Sequence, residues 1–221
     1  MFTGLIECEG VITRADRSAG GMRMEVYAPE FGRDMQIGDA IAVDGVRVTV
    51  VKFIRGAFLC DVSTEMLDTS TLGMLTQGEK VNLERALRLS DRMAGHLVSG
   101  VADGIGRLEL RQPAGKFSVY QFQAPSHVLR HMVEKGPVAV DGISLIAAKV
   151  APQGFTVAVD PQIESHSTLK NKAIGDAVNL EVDILAKYAE RFSSVYTDGE
   201  PAPVERRGLG SMLRDLADGG H

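Results

Sequence analysis

The 221 residues carry 24 Lys and Arg against 29 Asp and Glu, for a formal net charge of −5, with 44% hydrophobic residues and no tryptophan. These are ordinary globular values, which set aside disordered and fibrous classes, and an acidic chain without a basic, aromatic-studded stripe is a poor partner for nucleic acid. Nowhere do about 18 apolar residues run together, and the opening MFTGLIECEG has no basic region leading into an apolar core; neither a membrane partner nor a secretory leader is expected, and a cytoplasmic location follows.

In chain order, Cys8 lies in a strand-like stretch without metal-ligand spacing, as does Cys60, so both read as reduced, buried thiols. MRMEVYA at 22–28 alternates apolar residues with others, the period of a half-buried strand. APEFGRDMQIG, from 28, reads as a weak short helix. VDGVRVTVVKFI, from 43, reads as a turn followed by a β-branched strand, and STL at 70–72 with VNLE at 81–84 closes the first half. APSHVLRHMVEKG at 124–136 predicts a helix with Ser126 at its N-cap and Gly136 as its stop. FTVAVD at 155–160 is again a strand. DILAKYAERF at 183–192 places Ile184, Leu185, Tyr188 and Phe192 near one face of an amphipathic helix, an apolar surface suited to an oligomer contact. Beyond it, a Pro-containing linker leads to SMLRDLADGGH, a last short helix capped by Ser211, expected to order only against a partner.

Segments of the first half return in the second. VDGVRVTV at 43–50 recurs as VDGISLIA at 140–147, and STL followed by G-x-x-VNLE recurs at 167–181, both offset by 97 residues. TG at 3–4 matches SG at 99–100, Gly10 matches Gly106, and AP at 28–29 matches AP at 124–125, at an offset of 96. Five matches in order indicate a duplicated unit of about 96 residues, mostly β and punctuated by Gly and Asp as in a small closed barrel or sandwich. The domains expected are residues 1–95, 96–184 and a C-terminal helix and tail at 185–221.

Few residues carry chemistry on their own. His127 and His131 stand four apart on the predicted helix, but two ligands without a third read as a solvated face rather than a metal site. Gly104-Ile105-Gly106 has no helix behind it, and no P-loop, GxSxG or Cys-His signature is present. In the duplicated strand each copy keeps a hydroxyl, Thr49 in the first and Ser144 in the second, which can read the edge of an amide-rich heterocycle or be satisfied by its own neighbours.

Taken together, MFTGLIE, VDGISL, STLG with STLK, GHLVSG and NLEVDILAKYAERF closely resemble riboflavin synthase, over about residues 1–193. The resemblance implies an all-β chain of two tandem six-stranded antiparallel Greek-key barrels with a C-terminal helix that makes a homotrimer. It also implies, in each barrel, one bound 6,7-dimethyl-8-ribityllumazine, with riboflavin or FMN as alternative ligands. Two stacked lumazines would exchange a four-carbon unit, giving riboflavin and 5-amino-6-ribitylaminouracil with no cofactor or metal. The chemistry asks for orientation of two rings, removal of a proton from an acidified ring methyl and addition of a nucleophile beside it.

Carried over position by position, the resemblance puts Phe2, Ser144 and Lys135 in the catalytic set and Arg47, Thr49, Ser63, His96, Asp141, Ile146 and Asp183 around the ligands. Lys135, Ser144 and Asp183 would hold one ring, and Arg47, Thr49 and Ser63 the other. The chain departs from the family at Ala40, usually serine, Asp44, usually asparagine, Arg47, usually cysteine, Val101, usually histidine, and Ile146, usually threonine. Valine and isoleucine move no protons, and Arg47 suits a ligand anion or carbonyl better than proton transfer. Such positions also change in the lumazine proteins, non-catalytic relatives that bind lumazine or flavin, so a carrier, sensor or antenna is the alternative to an enzyme.

Overall fold

The computed structural model describes residues 1–31 and 35–197, with side-chain surroundings given through 193. Two compact units are present, Met1–Lys187 and Tyr188–His221. Twelve strands occur among the described residues, all within the first unit. β1 (Cys8–Ser18), β2 (Gly21–Tyr27), β3 (Ala40–Val43), β4 (Val46–Ile54), β5 (Ala57–Val62) and β6 (Lys80–Arg85) close a barrel in the order β1-β2-β5-β4-β3-β6. β7 (Gly104–Ala114), β8 (Phe117–Gln123), β9 (Pro137–Val140), β10 (Ile143–Ala151), β11 (Gly154–Val159) and β12 (Ala177–Val182) close a second barrel with the same order. Every ladder is antiparallel, so the expected pair of six-stranded Greek-key barrels is present.

Alternation along each strand produces this outcome. In β4 the pattern puts Val46, Val48 and Val50 inside and Arg47 and Thr49 outside; in β10 Ile143, Leu145 and Ala147 turn inward while Ile146 faces out. Register breaks recur at equivalent places, at Thr13 and Glu109 and again at Val51 and Ala148, and bend the sheets enough to close. The first two strands of the barrels are offset by 96 and the last four by 97, so the added residue lies between β8 and β9. Each barrel keeps its own core. Met24 and Val26 in the first are matched by Tyr120 and Phe122 in the second, where Tyr120 stacks on Phe122 at 6.2 Å and Phe122 meets Phe155 at 5.5 Å.

Three local expectations change. VDG is the end of a strand plus a two-residue turn rather than a turn alone: Asp44 and Gly45 have φ of 44° and 79°, and Asp141 and Gly142 have 45° and 78°, the doubly left-handed turn that suits the strand twist of a hairpin. The helix expected over 124–136 shortens to α2 (Ser126–Leu129), after α1 (Thr64–Thr69), with Pro125 rather than Ser126 at its cap. There Val128, Leu129 and Met132 drop into the second core, and burying them outweighs continuing a helix. Lys135, not Gly136, takes the left-handed conformation, with φ 67°, and its N–H donates to the Ala147 carbonyl. The weak helix from 28 falls partly on residues 32–34, outside the described residues, as does the segment capped by Ser211.

After α3 (Pro161–Ser165), α4 runs over Ile184–Thr197. Leu185 is exposed, as are Tyr188 and Phe192 in the second unit. Cys60 is buried and Cys8 half-buried; both are free thiols, pushed up to about 12 chiefly by burial. His127 turns Nε2 to the Asp103 carbonyl at 2.9 Å, and His131 turns Nδ1 to the His127 carbonyl at 2.9 Å. No helix among the described residues is long and apolar enough to cross a membrane.

Candidate functional site

The two barrels meet about an approximate two-fold relation built from the repeated motifs. Asn82 accepts at Oδ1 from the Thr168 N–H at 2.7 Å and donates through Nδ2 to the Asp141 carbonyl at 3.0 Å. Asn179 repeats this with Thr71 at 2.7 Å and the Asp44 carbonyl at 2.8 Å. Asp44 and Asp141 each accept the backbone N–H of the asparagine in their own barrel at 2.7 Å. Between them the turn glycines touch: a Cβ on Gly45 would lie 2.6 Å from the Gly142 nitrogen. The recurring VDG, STL and VNLE are thus one buried clamp.

The clamp is charged unequally. Lys172 pairs with Asp141 at 2.9 Å and has its equivalent in Leu75, so Asp44 has no cation of its own. Burial, and then the neighbouring Asp141, hold the Asp44 carboxyl well above the usual range, and burial also pushes Asp141 up against the pull of Lys172.

Two crossing segments bring β4 and β10 to the other barrel's lead-in chain. Phe2 and Val98 exchange backbone hydrogen bonds of 2.8 and 3.0 Å, and both are buried with Ala42 and Ala139. Glu84 gathers the N–H groups of Thr3 at 2.6 Å and Gly4 at 3.0 Å; Glu181 gathers those of Ser99 at 2.6 Å, Gly100 at 3.0 Å and Val101 at 3.1 Å. Burial raises both glutamates while these donors oppose it. The glycine carbonyls then accept across the interface: Gly4 from the Ser144 N–H and Gly100 from the Arg47 N–H, each at 2.8 Å. Side chains at Gly4 and Gly100 would stand 2.5 Å from Ser144 Cβ and 2.7 Å from Arg47 Cβ, and both glycines have positive φ, so the approach requires glycine.

Two outward faces result, one per barrel. On the second, Ser144 Oγ lies 2.7 Å from His96 Nδ1, and Ile146 is 54% exposed beside it. Burial holds the His96 imidazole below the ordinary histidine value, against an opposite pull from Asp183, so the ring is neutral near pH 7. Its buried Nε2 has no hydrogen-bond partner. Asp183 itself accepts the Leu185 N–H at 3.0 Å at the start of α4. On the first face the equivalents of Ser144 and Ile146 are Arg47 and Thr49, both exposed, with Ala40 and Asp61 opposite Thr49 in the ladders.

The residues singled out from the sequence separate into two groups. Arg47 and Thr49 share the first face, with Val101, 61% exposed, at the chain that crosses it. Ser144, His96 and Ile146 share the second, Asp183 acts on it through its charge, and Lys135 stands at its rim. Ser63 caps α1, its hydroxyl accepting from Met66 N–H at 3.4 Å, the role Asp160 plays for α3. Phe2 is wholly buried between the barrels, and Asp141 spends both carboxylate oxygens on Asn179 and Lys172. A cavity of about 510 Å³ lined by Thr3, Leu5, Ala40, Glu84, Arg88 and Arg92 borders these faces without reaching Ser144 or Arg47. Glu84, Glu181, Asn82 and Asn179 carry the framework; the repeated VNLE was their signal, though nothing in it tells a clamp from a ligand contact.

The model of the lumazine binding domain matches residues 3–86 and again 99–183. Riboflavin synthase of Mycobacterium tuberculosis is 40% identical over 195 residues, covering 86% of this chain and 97% of that protein. The riboflavin synthases of Actinobacillus pleuropneumoniae and Bacillus subtilis are 38% and 34% identical over 192 residues, each covering 87% of this chain and 89% of the relative. Crystal structures of LumP complexed with riboflavin and with 6,7-dimethyl-8-(1'-D-ribityl) lumazine superpose with TM-scores of 0.77 and 0.75 at 18% identity, covering 82% of this chain and 99% of LumP. With both barrels matched and the riboflavin synthases covered almost end to end, this chain belongs to the lumazine binding domain family, the family of the riboflavin synthases.

Proposed function

We propose that the chain is a riboflavin synthase, converting two 6,7-dimethyl-8-ribityllumazines to riboflavin and 5-amino-6-ribitylaminouracil. The observation that carries this reading is the Ser144–His96 pair, 2.7 Å apart on an outward barrel face, in a chain 40% identical to a synthase over nearly that enzyme's whole length. A neutral imidazole held beside a hydroxyl is suited to moving a proton at a ring methyl or to activating a nucleophile beside it. Ile146, exposed on this face, supplies apolar surface for a flat ring, and Lys135 offers a cation at the rim. Arg47 and Thr49 serve the second ring, with Ser63 behind them. Phe2 acts by packing, fixing the chain that carries Gly4 against Ser144, and Asp141 by shaping the hairpin.

Faces that point outward need a cover. In this reading the first barrel of one copy closes on the second barrel of another in a homotrimer, with the exposed Leu185, Tyr188 and Phe192 of α4 in the contact. No step requires a cofactor, and the reaction belongs in the cytoplasm. Incubation of the purified protein with 6,7-dimethyl-8-ribityllumazine should release riboflavin far above the uncatalysed rate, and no acceleration ends the reading.

A second reading, a non-catalytic carrier, is favoured by Arg47 and Val101 on the first face, neither of which moves a proton at neutral pH. It expects the purified protein to hold riboflavin or FMN in fixed stoichiometry and to leave lumazine unchanged.

A further inference from the structure

The two faces differ most in the residues that would stand against a ring. Across equivalent positions the first presents Arg47, Thr49, Asp61 and Arg23, where the second presents Ser144, Ile146, Ala158 and Val119. Arg23 is consumed by Asp61, in a two-point pair of 2.7 and 2.8 Å. Arg47 is not: its backbone N–H is bonded to Gly100, and its exposed guanidinium has no ion-pair partner among the described residues. The buried Glu181 beneath it is occupied by the N–H groups of residues 99–101. An exposed, unpaired cation therefore sits on a barrel strand whose backbone is held, where the matching position opposite carries a serine next to a neutral histidine.

We infer that the first barrel is the face that binds its ring as an anion, Arg47 being the residue that selects this form, while the second barrel takes the neutral ring. The inference rests on the proposed lumazine chemistry and deepens it. In the step concerned, a C–H bond of the ring methyl breaks, the electron pair delocalises into the ring toward its carbonyl oxygens, and the proton leaves to solvent base. A guanidinium is always charged and donates in a planar fork, so it stabilises such a spread anion without taking part in the proton transfer. Ser144 and neutral His96 are suited to the partner ring, which must accept a nucleophile. Other cations are Lys135, on a turn at the rim of the second face rather than on a strand, and Arg88 and Arg92, in the cavity that borders the faces.

The test is absorbance of 6,7-dimethyl-8-ribityllumazine mixed rapidly with the full chain across pH, read before riboflavin accumulates. The expected result is an anion fraction in about half of the bound ligand at a pH roughly one unit below that needed in free solution, a tenfold enrichment. R47Q should lose the enrichment, and R47K should restore part of it. The inference is overturned if the native protein shows no enrichment, if R47Q retains it, or if K135G rather than R47Q removes it. It is overturned too if R47Q weakens FMN but leaves the lumazine anion unchanged, since the charge read would then be the phosphate. Enrichment without turnover sinks the synthase reading and leaves this one standing; turnover without enrichment does the reverse; a protein that binds no lumazine ends both.

Discussion

Between the barrels, what is identical and what has diverged lie on different surfaces. Asp44 and Asp141, Asn82 and Asn179, Thr71 and Thr168, Glu84 and Glu181 all sit in the buried interface, each repeating its counterpart's hydrogen bonds in the other barrel. Arg47 against Ser144, Thr49 against Ile146 and Asp61 against Ala158 point outward from the same strands. A clamp between two like barrels constrains both copies to the same residues, because each asparagine must satisfy donors and acceptors supplied by the other half. Outward faces carry no such mutual constraint, so a change on one leaves the fold of the other intact.

The largest effects should come from breaking the clamp. Asn82→Ala leaves the Thr168 N–H and the Asp141 carbonyl buried without partners and should cost about 2–4 kcal/mol in urea unfolding. Asn179→Ala should cost the same; a large difference between them would show that the two-fold relation is geometric but not energetic. Next come the faces, where Ser144→Ala should lower the rate of riboflavin formation about 100-fold and Thr49→Ala about tenfold or less. If both lose equally, the division between a face that activates a nucleophile and a face that holds a ring fails. His96→Gln should lose the acid limb of the pH–rate profile if the synthase reading holds, since in that reading neutral His96 serves as a base and is lost as pH falls through its lowered value.

The unequal charge of the clamp gives a smaller test with a definite sign. The raised Asp44 carboxyl favours the fold in its protonated form, a contribution present below the ordinary carboxylate range and lost as pH rises through the raised value. Asp44→Asn should therefore stabilise the protein at alkaline pH, by about 1–2 kcal/mol, and hardly at all in acid. Asp141→Asn should destabilise instead, because it strands the half-buried Lys172. Thermal melts across pH separate the two. Smallest is Lys135→Gly: a left-handed lysine stands where the first barrel has Gly38, φ 97°, so the change should gain about 0.5–1 kcal/mol of stability while slowing turnover. A gain in both would remove Lys135 from the site.

Much of this was legible in the residues. Alternation in MRMEVYA and FTVAVD, the Asp-Gly turns and the offset repeats point to two like barrels, because inward and outward positions along a strand follow from its period alone. The overlong helix at 124–136 shows where local pattern misleads: its apolar spacing is real, but Val128 and Leu129 serve the barrel core from a single turn and Met132 from the chain after it. Ser144 and His96 were each visible as candidates, 48 residues apart, and only the crossing of Thr3 and Gly4 against β10 makes them a pair.

By itself, then, the sequence determined the class of fold, the duplication and the family, since strand period, turn chemistry and repeated words are local properties. Tertiary structure decided what the words are for. VDG, STL and VNLE make their bonds across 59 to 135 residues and between barrels, where each buried polar group must find a partner that the chain order does not reveal. The same packing leaves Arg47 and Ser144 turned outward on equivalent strands, and so separates the positions that hold the molecule together from those left on its outer faces.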